Sequence, residues 1–262
     1  MAGAGALRAG ERVLLVDQKE RRYLLRLREG AEFHTHAGIV AHDALIGAEE
    51  GTTVEGNTGR RFLVLRPTLA DVVLKMPRGA QVIYPKDLGA ILLAADISPG
   101  VRVLESGVGS GALSMTLLRA GAVVLGYELR AEFAERARAN VEALLGPDVA
   151  YTVEVRDLTD GIDERQLDRV LLDMPCPWAV VGAAAEALRP GGILCSYLPT
   201  INQTAQLREA LASGPWGIAE SFELLRRSWH VEARSVRPDH RMVAHTGFLT
   251  TARRLAVGGA AG

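Results

Sequence analysis

Lysine is almost missing from this chain of 262 residues: of 30 basic side chains only Lys19, Lys75 and Lys86 are lysines. A bias of that kind follows genomic base composition, and little function is read into it. Cysteine occurs twice, at Cys176 and Cys195. Two are too few for a disulfide framework, and these are too far apart in sequence for a Cys-x-x-Cys site, so a reducing, cytoplasmic compartment fits. Net charge is −1, which excludes the global basic excess of a generic nucleic-acid binder. No apolar run reaches membrane-spanning length, and no membrane association is expected. The first ten residues are Ala/Gly-rich without the apolar segment of a signal peptide. They read as a disordered tail, as does 257–262. No internal repeat is visible.

The most informative stretch is Val101-Arg-Val-Leu-Glu-Ser-Gly-Val-Gly-Ser-Gly111. A short apolar strand ends at Glu105, Gly107, Gly109 and Gly111 make a tight turn, and a helix opens at Ala112. Glycines let the backbone approach a ligand, and a helix start offers free N–H groups and partial positive charge. The turn alone also satisfies the loose dinucleotide fingerprint. Carboxylates decide between cofactors. Glu105 ends the first strand, and Glu128 ends Val123–Glu128 about 20 residues on, where a ribose diol is met. Asp157 follows Tyr151–Val155, and Asp173 ends Arg169–Asp173, followed by Met174-Pro-Cys-Pro-Trp178. Any one of these could be a helix cap or a solvated strand end. Four at successive strand ends, with no lysine or arginine in the turn, suit a cationic sulfonium nucleoside and suit a pyrophosphate poorly.

Residues 11–66 read as short strands broken by glycines (Val13–Val16, Tyr23–Leu27, Gly38–Val40, Phe62–Leu65), a small β domain. A short helix is expected over Leu69–Leu74. Over 67–256 helices and near-continuous apolar strands alternate. Helices are expected at Pro85–Ala95, Ala112–Arg119, Ala131–Leu145, Trp178–Leu188 and Gln203–Ala212. The pattern predicts an α/β, Rossmann-like fold with a mostly parallel seven-stranded sheet covered on both faces. Two closing strands, near Ile218–Trp229 and Thr246–Thr251, have no long helix between them, which makes one antiparallel. Ligands in such sheets sit at the carboxyl ends of the strands, where all four acids lie.

Several segments together resemble the bacterial-type tRNA (adenine-58-N1)-methyltransferase family of class I S-adenosylmethionine-dependent methyltransferases. They are Phe33-His-Thr-His36, His42-Asp-x-Leu-Ile-Gly47, Pro77-Arg-Gly-Ala80, Ile83-Tyr-Pro-Lys-Asp87, the Gly-rich turn, Leu172-Asp-Met-Pro175 with Pro177-Trp178, and Arg237-Pro-x-His240 followed by His245-Thr-x-Phe248. The resemblance implies a small N-terminal β domain, a class I methyltransferase domain and a homotetramer. It also implies S-adenosyl-L-methionine as donor and N1 of a T-loop adenine in tRNA as acceptor. Carried over, Asp173 and Tyr84 are the catalytic pair. The cofactor is held by Gln81, Glu105, Ser106, Gly107, Val108, Gly109, Ser110, Gly111, Glu128, Leu129, Arg130, Asp157, Leu158 and Asp173. Ser106 stands where alanine is usual, and Ala120-Gly-Ala122 is shorter than in typical relatives.

A carboxylate that accepts a hydrogen bond from the adenine N6–H pushes electron density toward N1 and stabilises the charge that develops there. Asp173 suits that role. A base buried in tRNA must be extruded first, and Tyr84 is the aromatic wall expected to hold it. Arg226, Arg227, Arg234, Arg237, His240, Arg241 and His245 form a basic C-terminal run. Arg226, Arg227, Arg237 and His240 are the expected phosphate contacts. His34 and His36 lack a carboxylate or cysteine to complete a metal site, so no metal is expected. Two alternatives stand beside this reading: a related methyltransferase redirected to a small-molecule or nucleoside acceptor, and a non-catalytic RNA-binding subunit.

Overall fold

The computed structural model describes residues 5–36, 38–76, 79 and 81–256. The chain divides into two compact units, Met1–Pro77 and Arg78–Gly262.

The first unit holds a four-stranded antiparallel sheet and a hairpin. The sheet comprises β1 (Arg12–Asp17), β2 (Arg22–Arg26), β5 (Thr53–Glu55) and β6 (Arg61–Leu65), in the order β2-β1-β6-β5. The hairpin pairs β3 (Glu32–Thr35) with β4 (Gly38–Ala41). Val13, Leu15, Phe62 and Val64 alternate inward, as a half-buried antiparallel sheet requires, and join Leu27, Val40 and Leu45 in one core. Two expectations are corrected here. The first ten residues are not all tail. Positions 1–4 lie outside the described residues, but Leu7 is 1% exposed in this core. Its N–H donates to Ala48 O (2.8 Å), and its carbonyl accepts from Gly47 N (2.8 Å). The unit also extends beyond residue 66. Helix α1 (Leu69–Lys75) opens with a Thr68/Asp71 capping box, and Asp71 also takes a hydrogen bond from Arg22 on β2 (2.9 Å). The tail expected at 257–262 lies outside the described residues, as do three of the four positions of Pro77–Ala80.

The second unit is a seven-stranded sheet with helices on both faces. In chain order it runs α2 (Pro85–Ala94), β7 (Arg102–Ser106), α3 (Ala112–Arg119), β8 (Val123–Glu128), α4 (Ala131–Leu145), β9 (Tyr151–Val155) and β10 (Leu167–Leu172). It continues with α5 (Val181–Ala187), β11 (Leu188–Leu198), α6 (Ile201–Ala212), β12 (Trp216–Phe222), the hairpin β13 (Trp229–Glu232) and β14 (Ser235–Pro238), and β15 (Phe248–Arg254). The sheet order is β12-β15-β11-β10-β7-β8-β9. β10 runs parallel to both β11 and β7, and β8 runs parallel to β7 and β9. β15 lies antiparallel between β11 and β12. The order reverses between β7 and β10, and this is the topological switch point.

The helix expected over Trp178–Leu188 is shorter. Pro177–Val180 is a 3₁₀ turn, α5 follows, and Leu188 already belongs to β11. Pro190-Gly191-Gly192 is absorbed in that strand as a bulge, seen as a register shift opposite β10. Between β12 and β15 the structure adds the β13–β14 hairpin, where one long strand was expected. β12 therefore ends at Phe222 rather than near Trp229.

Arg169 on β10 fastens the sheet to the loop after α2. Its buried guanidinium donates to the carbonyls of Ala95, Asp96 (2.8 Å) and Asp168 (2.9 Å) and to Asp96 Oδ2 (2.8 Å). Arg169→Met leaves the carbonyl of the buried Ala95 without its donor and removes three further bonds, and a stability loss of about 2 kcal/mol is expected from urea denaturation. A loss under about 0.5 kcal/mol, the scale of a neutral surface change, would show that this fastening is dispensable.

Candidate active site

The principal cavity of the second unit, about 420 Å³, opens at the carboxyl ends of β7, β8, β9 and β10. At its base is a backbone contact. Asp173 N donates to Ser106 O (2.9 Å), so β10 and β7 stay paired to their ends. Gly107 (φ 83°) then turns the chain past Asp173, and a Cβ placed there would lie 1.9 Å from the Asp173 carbonyl oxygen. Only glycine fits.

The Gly-rich turn is held from the neighbouring strand. Glu128 Oε2 accepts from Gly109 N (2.9 Å), and Oε1 accepts from Arg130 N (3.1 Å). Ser106, Gly107, Val108, Gly109 and Ser110 all line the cavity, as do Gln81, Leu129, Arg130, Asp157 and Leu158. Gly111 does not line it. It caps α3 (φ 81°) and lets α3 approach α4, since a Cβ there would lie 3.3 Å from Ala137.

Glu105 and Asp173 are the groups most changed by burial. Glu105 is 1% exposed. Its Oε2 accepts from Ser114 Oγ (2.7 Å), which in turn accepts from Tyr151 OH (3.0 Å), and its Oε1 has no partner. Burial pushes this carboxyl up to about 8, with Asp173 and Glu128 adding to the rise and the Ser114 bond opposing it. Asp173 is raised to about 7 by burial and by Glu128. Asp157 differs, being held below the usual carboxylate range by Thr159, whose hydroxyl (2.7 Å) and N–H (2.8 Å) both donate to Oδ1. It caps the 3₁₀ turn Leu158–Asp160 while lining the cavity.

These residues fit a cationic nucleoside cofactor. Glu105 Oε1 and Ser110 Oγ are buried polar atoms without partners, and both residues line the cavity. The two lining cations are engaged elsewhere: Arg130 lies over the Phe133 ring (3.7 Å), and Arg156 pairs with Asp163. No free cation among the lining residues is aimed at a pyrophosphate. Among the described residues no three His, Cys, Asp or Glu side chains form a metal cluster.

Tyr84 is not a cavity-lining residue. It is the N-cap of α2, partly buried. Two residues on, the motif's other polar side chains form a latch that sequence reading missed. Lys86 Nζ donates to Asp87 Oδ1 (2.7 Å), Leu224 O (2.7 Å) and Thr246 Oγ1 (2.6 Å), and the Thr246 hydroxyl donates to Asp87 Oδ2 (2.6 Å). The latch ties α2 to both roots of the segment between β12 and β15. Beside it Tyr197 packs on Gly247, where a Cβ would lie 2.4 Å from its ring. Burial pushes the Tyr197 hydroxyl up to about 12, opposed by its bond to Thr246 and reinforced by Asp87, Asp173 and Tyr84. Arg226, Arg227, Arg237 and His240 are all exposed on this segment, and none lines the cavity. The cavity residues that the sequence reading did not assign to the site, Tyr127, Arg156, Met174 and Pro175 among them, neighbour residues it did assign. The apolar Val82 and Leu113 carried no signal.

A family profile described as "tRNA methyltransferase complex GCD14 subunit" matches residues 61–237, and one described as "TrmI-like N-terminal" matches residues 5–54. The chain is 39% identical over 251 residues to a tRNA (adenine(58)-N(1))-methyltransferase TrmI of Thermus thermophilus, covering 92% of this chain and 96% of that one. It is 35% identical to the tRNA (adenine(57)-N(1)/adenine(58)-N(1))-methyltransferase TrmI of Methanocaldococcus jannaschii, covering 92% and 94%. Two solved structures superpose over 96% of the chain. A SAM-dependent O-methyltransferase from Thermotoga maritima does so at TM-score 0.91, with 34% identity and 95% of that chain covered. The tRNA (m1A58) methyltransferase TrmI from Aquifex aeolicus does so at TM-score 0.85, with 29% identity and 100% covered. The glycine that admits the Asp173 carbonyl, the buried acids at the strand ends and these matches over nearly the whole chain lead to one conclusion: the protein belongs to the TrmI/GCD14 family of tRNA (adenine-N1)-methyltransferases, with the class I S-adenosylmethionine-dependent fold.

Proposed function

We propose that this protein transfers a methyl group from S-adenosylmethionine to N1 of adenine 58 in tRNA. The observation that carries the reading is the cluster of Glu105, Glu128 and Asp173 around a cavity whose Glu105 Oε1 has no partner. S-adenosylmethionine, when bound, supplies an electrophilic methyl group. Glu128 keeps a lone pair on each oxygen for ribose hydroxyls while its other bonds hold the Gly-rich turn. Glu105 provides the buried negative charge that a cationic donor needs. Asp173, just past the end of β10, accepts from the exocyclic amine of the adenine and stabilises the positive charge that develops as N1 takes the methyl group. Tyr84 serves the acceptor side from the N-cap of α2, outside the donor cavity. Arg226, Arg227, Arg237 and His240 supply exposed positive charge to tRNA phosphates.

The description of the Thermotoga structure as an O-methyltransferase favours a second reading, an oxygen acceptor on the same scaffold. One experiment separates the two. The protein is incubated with methyl-labelled donor and unmodified tRNA, and the digested nucleosides are mapped. N1-methyladenosine from position 58 is expected. Label in an O-methylated product, or none in tRNA, overturns the reading. In the same assay Asp173→Asn is expected to lower turnover by about two to three orders of magnitude with donor affinity retained.

The raised acids predict a proton linkage. Below about pH 8 Glu105 is largely neutral, and a cationic donor favours its ionised form. Donor affinity therefore rises by up to about tenfold per pH unit toward that value and then levels off. Binding near neutral pH releases protons, which calorimetry in buffers of different ionisation enthalpy detects. Glu105→Gln is expected to weaken binding and reduce the release. Release undiminished in that variant excludes Glu105 as its source.

A homotetramer is part of the same proposal, and with tRNA as acceptor the cytoplasm is the place of action. Supporting an assembly, Trp229, Val231 and Val236 of the β13–β14 hairpin stand exposed together, at 57%, 71% and 60%, more apolar surface than a free hairpin carries comfortably. Light scattering is expected to report four chains per particle, and a monomer at micromolar concentration rejects the assembly.

A further inference from the structure

The first unit carries a basic socket of its own. Asp17 at the end of β1 pairs with Phe62 at the start of β6, and Val16 pairs with Arg22 on β2. This register puts the β1–β2 turn and the β5–β6 turn at one end of the sheet. Together they deliver Lys19, Arg21, Arg60 and Arg61 around a concavity of about 220 Å³, completed by Gln18 and Asp17.

The socket's one acid is already neutralised. Asp17 Oδ1 accepts the N–H groups of Lys19 (2.9 Å) and Arg21 (3.0 Å), and Oδ2 accepts Arg21 Nε (2.7 Å) and lies 2.6 Å from its terminal nitrogen. Burial would raise this carboxyl, but the bonds from Arg21 and Lys19 outweigh it and hold it at about 2. Asp17 thus remains ionised and fixes Arg21, which also contacts His36. Glu20 lies in the β1–β2 turn, and Glu55 stands opposite Arg61 across the β5–β6 pair. Among the described residues the hydrogen bonds and ion pairs of this end go to Asp17, Arg21 and His36, and the side chains of Lys19, Arg60 and Arg61 take none of them. Three cations that make no ion pair converge on one hollow, and their mutual repulsion eases when an anion joins them. Guanidinium groups match phosphate oxygens in geometry as well as charge.

We propose that this socket binds phosphodiester groups of a polynucleotide, so that the N-terminal unit is an RNA-contact surface separate from the basic segment between β12 and β15. The proposal rests on the reading that tRNA is the acceptor. It deepens that reading by placing phosphate recognition on a second element.

The test is the variant Lys19→Gln/Arg60→Gln/Arg61→Gln in the full chain, with Arg21 kept because Asp17 depends on it. Binding of unmodified tRNA is followed by fluorescence anisotropy across a salt series, beside donor binding and turnover at saturating tRNA. Donor affinity and saturated turnover are expected to be unchanged. The KM for tRNA is expected to rise about tenfold or more. The slope of log affinity against log salt becomes shallower by about two to three, near 0.9 for each phosphate no longer neutralised. If the wild-type protein methylates tRNA and the variant keeps its KM and salt slope, the socket is not a phosphate site while the acceptor reading survives. If the wild type binds tRNA without methylating it, the slopes still decide the socket. If the wild type binds no polynucleotide, both fall. Weakened binding of inorganic phosphate with unchanged tRNA binding marks a free-anion site and also overturns the proposal. Should the triple variant melt early, Lys19→Gln and Arg60→Gln singly, both on exposed turns, are expected to lower the slope by about one each.

Discussion

The larger unit is organised around one close approach, the Gly107 turn lying against the Asp173 carbonyl. Here β7 and β10 stay hydrogen-bonded through Ser106 and Asp173, and the chain bends away only beyond that point. A methyl group at residue 107 would occupy the place of the Asp173 oxygen. Because the two strand ends are locked, their side chains and those of β8 converge on one hollow. Glu128 completes the lock by taking the Gly109 N–H. The hollow therefore follows from backbone geometry first and side-chain chemistry second.

Convergence has an electrostatic consequence. Carboxylates gathered in a poorly solvated space resist ionising, and Glu105 and Asp173 both do so. Glu128 and Asp157 take backbone hydrogen bonds and serve as braces as well as acceptors. The site thus separates acids that hold the scaffold from acids poised to change charge. Lys86 contrasts with these. The one lysine in the family-like segments neutralises Asp87 and binds two distant chain positions, and it works in architecture rather than in the cavity.

Much of this was legible because parallel strands and their crossover helices carry strong local patterns. α3, β8, α4 and β9 have the bounds their apolar spacing predicts, and acids at strand ends point to a crevice whatever their neighbours. What was hidden depends on partners distant in sequence. Leu7 sits in an Ala/Gly-rich stretch, and nothing nearby reveals that Gly47 and Ala48 receive it. Pro190-Gly191-Gly192 looks like a loop and is a bulge, because β10 and β11 pair on both sides of it. Tyr84 and Gly111 belong to segments the pattern places, but the direction of the Tyr84 side chain and the approach of Gly111 to α4 follow from helix placement that spacing does not encode. The basic socket has no local signature, because its four cations come from two turns about 40 residues apart, each ordinary by itself.

The placement of β15 bears on how the chain is made. Among the described residues it is the last strand in sequence, yet it lies inside the sheet between β11 and β12. A ribosome-bound chain that has emerged only as far as β12 holds two open strand edges with nothing between them, and Thr246 has yet to reach Lys86 and Asp87. Vectorial synthesis can thus assemble β7 to β11 early, but the sheet closes only after the final segment threads into a waiting slot. Until then the two open edges leave the nascent chain prone to aggregation.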